Sequence, residues 1–395
     1  RRLGGKRRRD LKYTDHKPLA ILDLAVRGAH RVLTDEKANA VKWLAEDGAV
    51  AARAEVPRPR GVAVAPNGTA YVIAGTEVLS VTRQGGTKPV IRGLVNPLRL
   101  SYDTSNDTLL VAEGPDDWRV KRFSADGAPV ACHGREGGRL EGSYDPGDFD
   151  RYTDITADGK GGFFIAEPEY PPRRVAHFDG DGKLVNEWYG GLTFFSPSTI
   201  DPRDPTRVWY NSSCGGGMVL AEVNYEERTW RVLETYEIVN KAAGLGSASS
   251  GHSAHKLSVR YHEGERYLVF NSFPPAIFHH TEGRLEPVAI GNRRHRFPQH
   301  KAIATIMTGS DDKEAVDAWL DEHVRDKRGG MHRKNNAYLW TDRNGDRIPQ
   351  ANEITIHRLG SFYLGPGMGT SIARDFTAIT GSGDYNPRRD EAGVE

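Results

Sequence analysis

Short apolar runs alternate with turns rich in Asp, Asn and Gly along most of the chain. Two apolar runs flank one such turn in residues 61–74, 98–113, 153–167 and 257–271, and a second hairpin pattern follows each pair. The turns include Asn67-Gly68, Asp126-Gly127 and Asp158-Gly159, and these dipeptides supply the positive φ that tight hairpins need. The pattern therefore predicts four short antiparallel strands in each repeat.

Four-stranded units in tandem, with no amphipathic helix between them, are typical of a β-propeller. One unit cannot bury both of its faces, and stacking the units around a ring solves that problem. The predicted fold class is all-β, a β-propeller of six to eight four-stranded blades with a small helical insertion. A pair of β-sandwiches is the alternative, and it does not explain the repeat of two hairpins.

The chain divides into four predicted segments. Residues 1–19 form a basic N-terminal arm that lacks the apolar stretch of a signal peptide, and residues 20–295 form the blades. Residues 296–336 are an insertion with one amphipathic helix at 311–327, which Asp311 and Glu314 begin as a capping box. Residues 337–395 hold an oxygen-rich loop and a closing blade.

The composition of the chain argues against several classes of protein. Lys and Arg number 54 against 53 Asp and Glu, so the net charge of +1 does not favour a nucleic-acid partner. No apolar run approaches the ~18 residues of a membrane-spanning helix. Cys132 and Cys214 are too few for a zinc ribbon or an iron–sulfur cluster, and they pair only if their Cα atoms lie within ~7 Å.

The loop that begins at Asp342 has the spacing of an EF-hand type calcium loop. Oxygen-bearing side chains occupy positions 1, 3, 5 and 12, and position 7 contributes a backbone carbonyl. Glycine is expected at position 6, where the chain turns sharply, but Arg347 stands there and adds a positive charge. The predicted ligands of a structural calcium ion are Asp342, Asn344, Asp346, Ile348 and Glu353. An Asx-rich turn without a metal is the alternative.

Histidines are the second candidate for chemistry. They cluster at His252 and His255, at His279 and His280, and again at His295 and His300. Imidazoles that converge on a propeller axis bind zinc or act as a general base. His255 is the leading candidate for such a base. The alternative is that these are loop histidines that hydrogen-bond to the backbone.

Propeller geometry predicts a third group of residues. The loops before each innermost strand and after each second strand open on the same face of the ring, so residues there converge on the central channel. This mixture of acids, bases and amides suits a polar or sugar-like ligand. The predicted ligand-binding residues are Arg60, Arg99, Glu113, Asp154, Glu167, Asn211, His255 and Asn271.

The repeats resemble the NHL-repeat class of β-propellers, on residues 59–64, 111–113, 119–123 and 174–179. Residues 142–150, 164–191 and 200–210 look like a group of large bacterial propeller proteins that are exported and have no assigned chemistry. Members of that group tend to carry a segment similar to residues 340–353, with glycine where Arg347 stands here. The resemblance implies the propeller fold and an extracellular or periplasmic location, but it transfers no catalytic residue.

Three functional hypotheses follow. The first is an exported propeller that binds a polar ligand, with a glycan as the leading candidate, and that calcium braces at one loop. The second is a carbohydrate lyase or hydrolase, metal-dependent if the channel holds zinc, with His255 as base. In that hypothesis Arg99 or Arg60 holds an anion, and Glu113 or Glu167 acts as metal ligand or acid. The third is a subunit of a surface assembly that docks protein partners through the basic arm and the helix at 311–327.

Overall fold

The computed structural model describes residues 21–168, 172–190, 198–211, 217–237, 257–270, 276–291, 297–324 and 336–358, and four two-residue strands after them. The chain divides into two compact units. Unit 1 is Arg1–Leu140 with Asp145–Gly190, and unit 2 is Glu141–Tyr144 with Gly191–Glu395. The predicted basic arm at 1–19 lies outside the described residues.

Unit 1 contains sheets in which four antiparallel strands pair in chain order. Sheet 1 consists of β1 (Asp23–Arg27), β2 (His30–Asp35), β3 (Ala40–Leu44) and β4 (Val50–Glu55). Sheet 2 consists of β5 (Pro59–Val64), β6 (Ala70–Ala74), β7 (Glu77–Val81) and β8 (Thr87–Ile91). Sheet 3 consists of β9 (Pro97–Asp103), β10 (Thr108–Glu113), β11 (Val120–Ser124) and β12 (Pro129–His133). Sheet 4 consists of β14 (Asp154–Ala157), β15 (Phe163–Glu167), β16 (Arg174–Phe178) and β17 (Leu184–Tyr189).

The first strands of consecutive sheets in unit 1 contact one another, β1 with β5, β5 with β9, and β9 with β14. Arg27 of β1 crosses this row, since it donates from Nε to the carbonyl oxygen of Val64 at 2.8 Å and from Nη2 to that of Tyr102 at 2.9 Å. Gly61 permits the close approach of β5 to β9, because an added Cβ would lie 3.2 Å from Cα of Arg99. This is the contact that innermost strands of neighbouring propeller blades make.

Sheets 2 and 3 of unit 1 have a neighbouring sheet on each side, and each buries both of its faces. Strand β10 is buried along its whole length. Its residues Leu109 and Val111 pack in the core shared with sheet 2, whereas Leu110 and Ala112 pack in the core shared with sheet 4. Because successive residues of a strand point to opposite faces, a strand buried on both sides reads as a continuous apolar run.

Unit 2 contains two larger sheets. Sheet 5 has a four-stranded meander of β18 (Ser198–Asp201), β19 (Asp204–Asn211), β20 (Gly217–Asn224) and β21 (Thr229–Glu237). The short strand β13 (Gly142–Ser143) pairs with β21 and is the fifth strand of this sheet. Sheet 6 has six strands, which are β22 (Leu257–His262), β23 (Glu265–Phe270), β24 (Ala276–Thr281), β25 (Arg284–Gly291), β26 (Asn336–Thr341) and β27 (Ile354–Arg358). The strands β26 and β27, which the sequence assigned to a closing blade, thus extend sheet 6.

Two short hairpins follow sheet 6 in the chain. They pair β28 (Ser371–Ile372) with β29 (Ala378–Ile379), and β30 (Arg389–Asp390) with β31 (Gly393–Val394).

Among the described residues between β25 and β26 the structure has two helices, where the sequence predicted one. Helix α1 (Phe297–Thr308) was not predicted, and α2 (Lys313–His323) is shorter than the expected 311–327. The N-cap of α2 is Asp312, which accepts hydrogen bonds from the backbone of Glu314 and Ala315, so the prediction of Asp311 as the cap was wrong. Buried residues of both helices pack in one core with sheets 5 and 6.

The sheets confirm the predicted all-β class of four-stranded, propeller-type units with a small helical insertion. Neither helix among the described residues has the length and apolar character that crossing a bilayer requires.

Candidate metal centre and polar strand ends

A loop of oxygen-bearing residues joins β26 to β27. It begins at Asp342, whose backbone N–H donates to the carbonyl of Val288 on β25 at 2.8 Å, and it ends in a short 3-10 turn at Ala351–Glu353. One carboxylate oxygen from each of Asp342, Asp346 and Glu353 lies within 4.8 Å of the other two. The structure therefore brings together the three carboxylates that the sequence predicted as calcium ligands.

Glu353, the last of the three carboxylates along the loop, is buried, with an exposed fraction of 1%. Its Oε2 accepts a hydrogen bond from the indole N–H of Trp340 at 3.0 Å. Its Oε1 accepts the backbone N–H of Arg343 at 2.9 Å and that of Asn344 at 3.3 Å. These donors fix the position-12 carboxylate against the start of the loop.

Asp346 and Asn344 organise the exposed middle of the loop. Asp346 Oδ1 accepts the backbone N–H of Ile348 at 2.7 Å, and Oδ2 accepts the side-chain amide of Gln350 at 2.6 Å. Asn344 Oδ1 accepts the backbone N–H of Asp346 at 2.9 Å. These side-chain bonds hold the oxygens of positions 3 and 5 on the same short turn.

Arg347 adopts the left-handed backbone conformation that glycine usually provides at position 6, with φ of +62°. Its guanidinium contacts the carboxylate of Asp342 through Nη1, and its Nε lies 3.5 Å from Oε2 of Glu286 on β25. Burial alone would lower the pKa of Arg347, but the hydrogen bonds and negative charges of Asp342 and Glu286 together outweigh burial and raise that pKa. The sharp turn is thus present despite the missing glycine.

The donor set fits calcium. Carboxylate, amide and carbonyl oxygens are the hard ligands that Ca²⁺ collects in groups of about six to eight, whereas structural zinc sites are built mainly from Cys and His. Asp342, Asn344, Asp346 and Glu353 would supply side-chain oxygens, and Ile348 would supply its carbonyl oxygen.

Two of the predicted channel residues lie near the starts of β9 and β14, which are neighbouring first strands in unit 1. Asp154 is exposed at the start of β14, and Arg99 is half-buried on β9. The charges of both side chains act on the carboxyl of Asp23, the first residue of β1. Arg60, at the start of β5, is buried, and its carbonyl accepts a hydrogen bond from the hydroxyl of Thr34 at 2.7 Å.

Asp23 is a residue that the sequence analysis missed. Its Oδ2 accepts the backbone N–H of Val62 at 2.9 Å, and its Oδ1 accepts that of Leu24 at 2.9 Å. Burial raises the pKa of Asp23, because it outweighs these hydrogen bonds and the charge of Arg99. The signal was available, since Asp23 stands at the start of β1 as Asp154 stands at the start of β14, but β1 and β2 were not recognised as a repeat.

Glu113 and Glu167, two further predicted channel residues, are more deeply buried than Arg99 and Asp154. Both side chains are fully buried, and their carboxylates bind groups of the chain itself. Glu113 accepts the backbone N–H of Asn96, just before β9, at 2.7 Å, and its Oε1 lies 2.7 Å from Nζ of Lys121. Glu113, at the end of β10, thus joins the segment before β9 to Lys121 of β11.

Glu167 repeats this arrangement in sheet 4. It accepts the backbone N–H of Asp150, which lies shortly before β14, at 2.7 Å. It also contacts Arg174 of β16 and accepts from Nη2 of Arg139 at 2.8 Å. The structure does not place Glu113 or Glu167 as exposed ligand groups, and their predicted contact with a ligand stays a prediction.

The histidines divide into two groups. His279 and His280 lie on β24, where His280 is buried with Nε2 2.8 Å from Glu234 Oε2, and His279 Nε2 is 3.0 Å from Glu265 Oε2. Both therefore have internal partners. His252, His255 and His295 lie outside the described residues, as do Asn271 and Cys214; the side chains of His300 and Asn211 also fall outside the description. The zinc and general-base hypotheses for His255 remain predictions.

Comparisons with known proteins give fold-level likeness at low similarity. No family model matches the chain, and no curated protein matches it either. A streptogramin B lyase structure is 14% identical and matches 69% of this chain and 84% of its own, with a TM-score of 0.35. Hydrazine synthase of Kuenenia stuttgartiensis is 13% identical over 89% of this chain and 98% of its own, with a TM-score of 0.36.

A chain of a nidogen/laminin complex is 14% identical over 65% of this chain and 92% of its own, with a TM-score of 0.32. These structures are β-propellers. Values this low transfer neither an activity nor a ligand to this chain, and the fold class rests on the sheets themselves. Membership of the NHL-repeat class stays a prediction.

Proposed function

We propose that this chain is a propeller-type binding protein in which calcium braces the loop from Asp342 to Glu353. The observation that carries the proposal is the convergence of three carboxylates within 4.8 Å at the loop spacing of a calcium site. A bound cation would offset the repulsion among them and tie β26 to β27.

Metal content and thermal stability test the calcium proposal together. The purified chain should contain calcium, and chelation should lower its melting temperature, because a ligand that binds only the folded state stabilises it. Asp342→Asn and Glu353→Gln should abolish the response to added calcium. Glu263→Gln, a matched change at a carboxylate that is 85% exposed in the same unit, should respond as the unmodified chain does. A chain that neither contains calcium nor responds to it would overturn the proposal.

We further propose that the polar starts of the first strands in unit 1 bind a polar ligand, with a glycan as the leading candidate. The charges of Arg99 and Asp154 both act on the carboxyl of Asp23, so these strand starts combine carboxyl groups with a guanidinium. Such a mixed set presents both hydrogen-bond donors and acceptors, as the hydroxyls of a sugar require.

A panel of neutral and acidic oligosaccharides tests this second part. Binding measured by calorimetry should weaken in Arg99→Gln and in Asp154→Asn, while Arg92→Gln, a change at an arginine that is 73% exposed, should leave it unchanged. The absence of binding across the panel would count against a glycan. The proposed location is extracellular or periplasmic, where calcium is plentiful enough to fill a weak site.

A further inference from the structure

We infer that Arg347 is an internal cation of the loop and sets how tightly the loop binds calcium. This inference rests on the proposed calcium site and concerns a residue that the ligand spacing does not include. The guanidinium of Arg347 and the calcium ion compete for the carboxylate of Asp342.

The first support is the contact itself. Arg347 Nη1 contacts Oδ2 of Asp342, whose side chain has no exposed surface. Oδ1 of the same carboxylate accepts the backbone N–H of Gly345 at 3.0 Å. Oδ2 is thus the oxygen that a metal would share with Arg347. A guanidinium at a ligand oxygen repels a divalent cation and must withdraw before the metal takes that oxygen.

The second support is the charge balance. Asp342, Asp346 and Glu353 would place three negative charges within 4.8 Å of one another. Arg347 supplies a positive charge at one of them, so the loop is partly neutralised by the chain itself. A calcium ion therefore gains less from this loop than it would from the same ligands without the arginine.

The third support is the backbone of Arg347. A φ of +62° is costly for a residue with a Cβ and free for glycine. The left-handed turn is required by the loop geometry, so the arginine side chain is held here against a backbone preference. Its guanidinium contacts offset that cost.

Glu286 gives the guanidinium a second partner. Its Oε2 lies 3.5 Å from Nε of Arg347, on β25 next to the loop. When calcium takes Asp342, Arg347 retains Glu286 and need not be left without a counter-charge. The guanidinium of Arg347 would thus move from the buried carboxylate of Asp342 to that of Glu286, which is 40% exposed.

Calcium titration by calorimetry tests the inference on the full chain. Arg347→Gly and Arg347→Asn both remove the charge, and both residues tolerate positive φ. Each should bind calcium about tenfold more tightly than the unmodified chain, because a like charge at close range is removed. Arg228→Gly is the matched control: Arg228 is exposed, lies in the same unit outside the loop and also has a positive φ, +54°, so the affinity of this variant should stay within about twofold of the unmodified chain.

Glu286→Gln tests the partner exchange from the opposite direction. It removes the second counter-charge, so Arg347 should hold Asp342 more firmly and calcium should bind more weakly. A rise in affinity in this variant would contradict the exchange.

The outcomes separate this inference from the proposed function. If the unmodified chain binds calcium and neither Arg347 variant binds it more tightly, the inference falls and the calcium site stands. If only Arg347→Gly tightens binding, backbone relief and not charge is the cause, and the inference falls. If the unmodified chain shows no binding but both variants bind, the inference holds and the proposed function falls. If no variant binds, both fall.

Discussion

The ammonium nitrogen of Lys121 lies 2.7 Å from Oε1 of Glu113, and the Glu113 side chain has no exposed surface. Glu113 ends the second strand of sheet 3, and Lys121 lies on the third strand of that sheet. In sheet 4, Glu167 ends the second strand and contacts Arg174, the first residue of the third strand, and both side chains are fully buried. Each carboxylate also accepts a backbone N–H from the segment that leads to the first strand. The pair is therefore a repeated brace, which ties the start of a sheet to its second and third strands.

Lys121→Met should lower the free energy of unfolding by about 3 kcal/mol, because it leaves the buried carboxylate of Glu113 without its cation. Denaturant unfolding monitored by tryptophan fluorescence measures this loss. Arg92→Met is the control, since the Arg92–Glu77 pair is exposed and contributes less than about 1 kcal/mol. Equal losses in the two variants would show that Lys121 does not brace the sheet.

Gly127→Ala should be the more damaging of two matched glycine changes. Gly127 has φ of +96°, and an added Cβ would lie 1.7 Å from the carbonyl oxygen of Val90 on β8. Gly48 has φ of +84° but no atom within 4 Å of an added Cβ. Both variants carry a backbone cost of about 1 kcal/mol, and only Gly127→Ala adds a clash, of about 1–3 kcal/mol or more.

Melting temperatures of the two variants measure this difference. Gly127→Ala should melt clearly below Gly48→Ala. A shared small decrease would mean that the β11–β12 turn does not pack on β8 in solution.

Much of the fold could be predicted because its signals are local. The Asp-Gly dipeptide at Asp126-Gly127 specifies a tight hairpin by itself, and the residues around it alternate as strands do. The apolar run in β10 likewise predicts burial on both faces. Helix α1 was missed because Ile303 and Ala304 are buried by packing with sheets 5 and 6 and α2, which the local pattern of α1 does not show.

The predicted N-cap of α2 differs from the observed one by a single residue. Asp311 and Glu314 match a capping box, but the adjacent Asp312 accepts the two backbone N–H groups, from Glu314 and Ala315, each at 3.0 Å. Two neighbouring aspartates offer the same capping chemistry, so the sequence pattern alone does not distinguish them.

Asp312→Ala should therefore lower the free energy of unfolding by about 1 kcal/mol, the usual cost of removing an N-cap. Asp311→Ala should cost less than about 0.5 kcal/mol, as most exposed surface changes do. Denaturant unfolding of both variants gives the comparison. The reverse order would restore Asp311 as the cap.

The candidate metal site was predictable because its ligands lie within one short loop at fixed spacing. The contacts that involve Asp23 and Glu113 were not, because they join residues far apart in sequence. Asp23 accepts the N–H of Val62 across two sheets, and Glu113 accepts that of Asn96. A sequence shows that such carboxylates stand at strand ends, but not whether they face a ligand or the chain itself.

The pH dependence of stability tests the brace at Glu167. Burial by itself raises the pKa of this carboxyl, but Arg139 and Arg174 outweigh burial, so the pKa lies below its usual value of 4.5. The folded state then binds the proton less readily than the unfolded state. The stabilisation is fully present above the unfolded pKa and is lost as pH falls through the folded one.

Glu167→Gln removes that titration and takes a shared carboxylate from Arg139 and Arg174, although Arg174 keeps Glu187 at 3.0 Å. The unmodified chain should be more stable than the variant by about 3 kcal/mol near neutral pH. This advantage should stay constant down to about pH 5 and shrink as pH falls further. Denaturant unfolding of both proteins between about pH 7 and about pH 3 measures it. An advantage that grew on acidification would mean that the folded protein holds Glu167 in its protonated form, and the brace would then be a neutral hydrogen bond and not an ion pair.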